Sequence, residues 1–316
     1  MKKYLPNGNI PLLIRELQNK FQVYAPQLEG KQIAFKHLVF PERVRLDYSL
    51  SFLPPAKLII PFSYSKESAT NKQKQLLFGV HLADLDAINY LDRIFSQPIN
   101  DPIYQNIRKN FIIVGVDYPQ QKDAFFTDQH EYLKSRCDLF LDKINNGYLA
   151  IPGTLLGQGL LKSKYFEVVT SQKYQPADKV NGNDLLKNIP ALKKAVLNKN
   201  HPIWEEMAQK CLGCGICSYV CPLCFCFDRE EKNTLTQPPQ QLRCSSSCLL
   251  KGFHAIAGGS NFAPTIKERF YNWYYHKFVR MVDEYGQPGC VGCNRCSTYC
   301  PAGINIYENL QRLIEQ

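Results

Sequence analysis

Twelve of the thirteen cysteines lie between Cys211 and Cys300, and eight of these fall into two copies of one pattern. The first copy is Cys211-Leu-Gly-Cys214-Gly-Ile-Cys217-Ser-Tyr-Val-Cys221-Pro222, and the second is Cys290-Val-Gly-Cys293-Asn-Arg-Cys296-Ser-Thr-Tyr-Cys300-Pro301. Both read C-x2-C-x2-C-x3-C-P, the spacing of bacterial-type [4Fe–4S] ligation. Three closely spaced thiolates can wrap three irons of one cube. The fourth follows a turn too late to reach the same cube, so in two-cluster proteins it ligates the other one, and the proline after it turns the chain away. The spacing therefore predicts two [4Fe–4S] clusters with crossed ligands. One takes Cys211, Cys214, Cys217 and Cys300; the other takes Cys290, Cys293, Cys296 and Cys221. Gly213 and Gly292 fall where backbone must approach sulfide closely. A pair of zinc sites would use separated C-x2-C knuckles rather than four cysteines in one run.

Four further cysteines admit two readings. Cys224 and Cys226 follow the first run, and Cys244 and Cys248 share Arg243-Cys-Ser-Ser-Ser-Cys248. A helix there would put the latter two thiols on one face. Together the four are candidates for a third iron–sulfur or zinc site. They are also candidates for residues that line the clusters, keep water out and tune potential, or that are simply buried. Cys137 stands alone in a segment that reads as helix, and is expected in the core. His276-Lys277 lies in an aromatic-rich helix, and a lysine near a cube would favour its reduced, more negative state. No flavin or nicotinamide fingerprint and no Ser/His/Asp arrangement is present, so substrate chemistry is expected on a partner chain.

The elements that must position these cysteines are legible in outline. The 316 residues suggest two domains. Hydrophobic residues at 45% and charged residues at 21% are ordinary globular composition. No apolar run is long enough to span a bilayer, and Pro6, Gly8 and Asn9 interrupt the start where a signal peptide would need an apolar core. The expected location is the cytoplasm, where so many cysteines need a role other than disulfides. Ile10–Phe21 has helical periodicity, and strands are predicted over Gln32–Phe35, Lys57–Phe62, Leu76–Val80 and Phe111–Val116. Helices are predicted over Ala83–Phe95, Pro102–Lys109 and Asp128–Asn145. Gln172–Asp184 reads as a linker leading into a helix that ends near Leu197. Beyond Pro202 strand signals are few, and Pro264–Tyr285 reads as a helix whose aromatic stripe packs around the clusters.

The fold expectation is thus a multidomain α+β protein. An N-terminal α/β docking domain over 1–170 leads through a linker and helix at 171–200. A mostly α-helical, ferredoxin-like dicluster domain follows over 201–316. Net charge is +10, of which the 11 basic and 10 acidic residues from position 201 onward carry +1 and the first 200 residues +9. Eight thiolates and two oxidised cubes would bring the cluster half to about −3. The lysines of the front half are scattered and lack a nucleic-acid module, so no nucleic acid is expected; the charge reads as a solvated surface or as a surface that docks onto acidic partner subunits.

Several segments together resemble the dicluster iron–sulfur family of sulfhydrogenase beta subunits and anaerobic sulfite reductase A-type subunits. In the back half these are Cys211–Asp228, Cys248 with Phe253, Ala257-Gly-Gly259, Asn261-Phe262, Glu268-Arg269, His276-Lys277-Phe278 and Cys290–Cys296. The front half follows more loosely through Leu46-Asp-Tyr48, Lys57–Pro61, Phe78-Gly-Val80, Asp84, Leu91-Asp92, Asp101-Pro-Ile-Tyr104, Ile113-Val-Gly115 and Asp138-Leu139. The resemblance implies an electron-transfer subunit. It would lie between a flavin subunit handling NAD(P)H and a catalytic subunit of hydrogenase or sulfite-reductase type. The sequence departs from the family at Phe78-Gly-Val-His-Leu-Ala-Asp84, where Arg and Cys are replaced, and at Ala124-Phe125-Phe126, where a C-F-C is lost. Two other functions compete with a relay. One is a reductase whose third metal site, at Cys224, Cys226, Cys244 and Cys248, acts on a sulfur or disulfide substrate. The other is a redox-sensing binding protein.

Overall fold

The computed structural model describes residues 2–62, 73–117, 130–169, 185–233, 236 and 240–315. They fall into two compact units, one within the first 181 residues and one from 182 onward that also takes Ile60–Phe62. The chain is α+β, with one large mixed sheet, a small hairpin and helices. Among the described residues no helix is long and apolar enough to cross a membrane.

The first unit is built on eight strands: β1 (Lys3–Pro6), β2 (Gln22–Glu29), β3 (Gln32–His37), β4 (Gln75–His81), β5 (Phe111–Val116), β6 (Leu139–Ile144), β7 (Gly147–Pro152) and β8 (Glu167–Val168). Their order is β3-β2-β4-β5-β6-β7-β1-β8. The central β2, β4, β5 and β6 run parallel, and the outer strands are antiparallel to their neighbours. All six residues of β5 are buried, the near-continuous apolar run expected of a central parallel strand. Helix α1 (Ile10–Gln18) lays Ile10, Leu13, Ile14 and Leu17 into a core shared with Val23, Leu76, Phe78, Ile112 and Val114. Helix α2 (Leu82–Ile94) and helix α3 (Pro102–Arg108) complete the crossover from β4 to β5. Asp101 caps α3, accepting from the amides of Ile103 at 2.9 Å and Tyr104 at 3.1 Å.

Several segments differ from their sequence expectation. Lys57–Phe62 is not a strand: Pro55–Leu58 forms a 3-10 turn, because Pro54 and Pro55 fix φ and remove ladder donors. The helix expected over 128–145 stops early. Among the described residues of that span only His130–Lys134 (α4) is helical, and Leu139–Ile144 is β6, paired to β7 across a tight turn with Asn146 at φ 60°. Cys137 therefore lies between α4 and β6, not in a helix. It is buried, and burial pushes its thiol up to about 12. Strands β1, β2, β6, β7 and β8 exceed what periodicity suggests, and owe their place to pairing partners rather than to local pattern. Gly79 forms a bulge at φ +85°, where a Cβ would stand 2.6 Å from the Leu46 side chain. His81 is buried and stacks on Tyr48 with ring centroids 3.9 Å apart. A short helix, α5 (Leu155–Leu160), follows β7 and is capped by Thr154. The linker expected at 172–184 and Ala124–Phe126 lie outside the described residues.

The second unit contains α6 (Ile189–Leu197), α7 (Ile203–Lys210), α8 (Ile216–Tyr219), α9 (Ile266–Tyr275), α10 (Met281–Tyr285), α11 (Arg295–Thr298) and α12 (Ile306–Glu315). A hairpin of β9 (Phe227–Lys232) and β10 (Gln240–Ser245) adds strands where few were expected. A capping box starts α9: the Glu268 amide donates to Thr265 Oγ1 at 3.2 Å, and the Thr265 amide to Glu268 Oε2 at 2.8 Å. A π-helical turn over His276–Arg280 joins α9 to α10, and Gly286 at φ 73° ends the run. The core gathers Leu192, Val196, Trp204, Phe270, Trp273, Tyr274, Phe278 and Leu310. The helix at 189–197 thus packs as part of this unit. Arg312 grips Glu206 through both guanidinium nitrogens, fastening α12 to α7, and holds that carboxyl down at about 2.

Candidate functional site

The two cysteine runs fold as two copies of one local structure. In each, the glycine two residues after the first cysteine takes a left-handed φ, 63° at Gly213 and 68° at Gly292. Its amide donates to the sulfur of that cysteine at 3.4 Å in both copies. Two residues on, the chain is left-handed again, at Gly215 with φ 77° and Asn294 with φ 61°, and a one-turn helix follows, α8 or α11. Asparagine is the non-glycine residue best able to take this backbone, so the second run keeps the turn without a glycine. At Gly215 a Cβ would stand 2.9 Å from Ser247, which is why the first run cannot make the same substitution.

These turns aim the thiols into two cavities. The larger, of about 490 Å³, is walled by Cys211, Cys214, Cys217, Cys296 and Cys300. Phe270, Trp273 and Tyr274 of α9 form its apolar wall. The smaller, of about 320 Å³, is walled by Cys290, Cys293, Cys296 and Cys221. Cys296 and Ile306 border both, so the cavities share a wall. The first cavity draws on three cysteines of the first run and on Cys296 and Cys300 of the second; the smaller one draws on three cysteines of the second run and on Cys221 of the first. Among the described residues no three Cys, His, Asp or Glu side chains converge on one point as the ligands of a single ion do. The thiols line the walls instead. That suits a cube, whose irons each take one thiolate, better than a zinc ion, whose four ligands must meet at one centre.

Electrostatics agree with a donor set that needs metal. Burial pushes the thiols of Cys217 and Cys290 up to about 12 and that of Cys296 well above its ordinary value, and the neighbouring thiols add to the rise. Cys211 is raised for the same reasons, offset by the Gly213 amide and, more weakly, by Arg269. So many buried sulfurs cannot ionise against one another unless cations sit among them, and a coordinating thiol is deprotonated outright. The residues present therefore fit two iron–sulfur cubes.

Three residues outside the cysteine motifs build the surroundings. Lys277, buried in the π-helical turn, donates from Nζ to Cys221 Sγ at 3.2 Å and to the Gly289 carbonyl at 2.8 Å. Arg269, also buried, donates to the carbonyls of Leu249 at 2.9 Å, Ala263 at 2.9 Å and Pro264 at 2.8 Å, tying two loops to α9. Asn309 of α12 donates to the Tyr274 hydroxyl at 3.1 Å behind the first cavity. Within the resemblance the Glu268-Arg269 and His276-Lys277-Phe278 segments carried two of them, but nothing in the spacing told what they touch. His276 stays neutral, its imidazole lowered to about 4 by burial and then by Lys277 and Arg280.

The four extra cysteines are not brought together as a set. Cys226 and Cys248 share a hydrogen bond beside Cys217, and that bond, with burial, holds the Cys248 thiol far above its ordinary value. Cys224 stands on the Lys277 side. Cys244 is on β10, opposite Asp228, and its thiol bonds to Glu230. The helix that would have aligned Cys244 with Cys248 does not form, because residues 240–245 pair with β9.

Comparison with known proteins bears on the same residues. Residues 210–304 match the family model of the 4Fe-4S dicluster domain. Over 327 aligned residues, covering 96% of this chain and 96% of the other, the protein is 29% identical to sulfhydrogenase 2 subunit beta of Pyrococcus furiosus (strain ATCC 43587 / DSM 3638 / JCM 8422 / Vc1). No solved structure matches it.

Proposed function

We propose, for a chain that belongs to the family of dicluster 4Fe-4S proteins with the sulfhydrogenase beta subunits, that it relays electrons inside a cytoplasmic oxidoreductase complex. It is an iron–sulfur electron-transfer subunit. The reading goes further: electrons pass between a partner that handles flavin and NAD(P)H and a catalytic subunit of hydrogenase or sulfite-reductase type. The observation that carries it is the pair of thiol-walled cavities with a common wall at Cys296 and Ile306.

When bound, each cube takes up and gives back one electron. The chain's own residues do the rest. Cys211, Cys214, Cys217 and Cys300 would hold one cube, and Cys290, Cys293, Cys296 and Cys221 the other. Phe270, Trp273 and Tyr274 keep water from the first cavity, and α12 closes both through Ile306. Exposed Cys214 and Leu212, which is 66% exposed, put the first cavity within reach of a docked protein. The front unit would serve as the docking module, its family-like residues being used internally: Asp92 receives Arg108 at 3.0 Å and the Tyr104 hydroxyl at 2.7 Å.

Iron and acid-labile sulfide, measured on anaerobically purified protein, test this. About eight of each per chain, with coupled spins in the electron paramagnetic resonance (EPR) spectrum after dithionite, are expected. Cys244→Ala should leave both counts unchanged. About twelve iron, or a metal loss in that variant, would make the four extra cysteines a site and favour a reductase over a relay.

A further inference from the structure

The two halves of the cluster region are near copies in backbone but not in charge. Beside the second cavity stands Lys277, whose ammonium donates to the sulfur of Cys221 at 3.2 Å and is 4% exposed. The ring of Trp273, 5.2 Å from Nζ, and the Gly289 carbonyl hold it in place. Among the described residues no Lys, Arg, Asp or Glu side chain lines the first cavity. The buried cation that bears on it, Arg269, spends its hydrogen bonds on three carbonyls.

We infer that Lys277 is a tuning residue that sets the cluster held by Cys221, Cys290, Cys293 and Cys296 at a higher reduction potential than its neighbour, making it the electron sink of the pair. The inference rests on the two-cluster reading above. Adding an electron makes a thiolate-bound cube more negative, and a fixed positive charge touching one of its sulfurs stabilises that added charge. Hydrogen bonds to sulfur act in the same sense. Water near Cys214 also favours reduction at the first site. That water is a mobile, screening dipole, whereas Lys277 is a whole charge in direct contact and shielded from solvent, so the second site is favoured more. Electrons arriving at the exposed first cluster then run downhill across the wall at Cys296 to the second.

The test is a potentiometric titration of the full cluster-loaded chain, followed by EPR. Two resolved midpoints are expected. In Lys277→Met, with iron and sulfide still about eight each, the higher midpoint should fall by an equilibrium factor of about ten or more, which is about 59 mV for a one-electron couple. The lower midpoint should hold. Lys277→Gln, which keeps a donor without the charge, should fall too, though by less. Unshifted midpoints in these variants, or a shift in the lower one, would overturn the inference while leaving the relay intact. Coincident midpoints in the unmodified chain would overturn it whatever the variants do. A chain that binds no iron would instead overturn the cluster reading itself.

Discussion

At the scale of single residues, the sharpest question is which fourth cysteine serves which cube. Cys300 walls the first cavity and Cys221 the second, although each belongs by sequence to the other run. The reason is steric. After the one-turn helices α8 and α11 the chain has passed the cavity that its first three cysteines face, and Pro222 or Pro301 then carries it off. Paired serine variants read this directly. Cys211→Ser with Cys300→Ser should remove one cube and leave about four iron, with the EPR signal of the other cube intact. Cys211→Ser with Cys221→Ser should damage both cubes and leave far less iron. Equal iron in the two double variants would mean that ligation is not crossed.

At the scale of elements, the sequence spoke clearly where chemistry constrains the backbone and poorly where tertiary partners do. The cysteine spacing marked both runs, and the dicluster domain model matches residues 210–304, which hold them. The aromatic stripe of α9 was likewise visible, and Phe270, Trp273 and Tyr274 do line the first cavity. Hidden were β6 and the β9–β10 hairpin. Leu139–Ile144 has a composition that suits a helix and becomes a strand only by pairing with its neighbours, and Phe227–Lys232 is a charged, exposed strand without apolar alternation. Lys277 was seen, but the sulfur it touches lies 56 positions away in sequence. Element α2 carries a titrating group of its own. Burial raises the Asp86 carboxyl to about 6 from an ordinary value of 3.8. Its folded pKa lies above its unfolded one, so the native state holds the proton more tightly. Stability is then highest below pH 3.8 as far as this group is concerned, falls between 3.8 and about 6, and stays reduced above. Asp86→Asn should therefore raise the melting temperature at pH 8, by a stabilisation of roughly 1–3 kcal/mol, and leave it nearly unchanged at pH 4. The same gain at both pH values would mean that Asp86 is not the group responsible.

At the scale of the whole molecule, charge is divided between a front half of +9 and a back half of +1 that the bound clusters would turn to about −3. The Debye length is about 10 Å at 0.1 M salt and about 3 Å at 1 M, so at ordinary ionic strength a small oxidant approaching the cluster region responds to the charge immediately around it. This makes the sign of the field at the electron-transfer surface measurable without any partner. The dithionite-reduced chain, freed of excess reductant, should be reoxidised by an anionic acceptor such as ferricyanide at a rate that rises with salt, because screening relieves repulsion. A cationic viologen of suitable potential should accept electrons at a rate that falls with salt. The reverse pair of trends would bring the +9 of the front half to bear on the clusters and make an acidic redox partner the natural one. The expected pair would instead favour a partner whose electron-transfer face is basic, with the front unit free to hold an acidic subunit elsewhere.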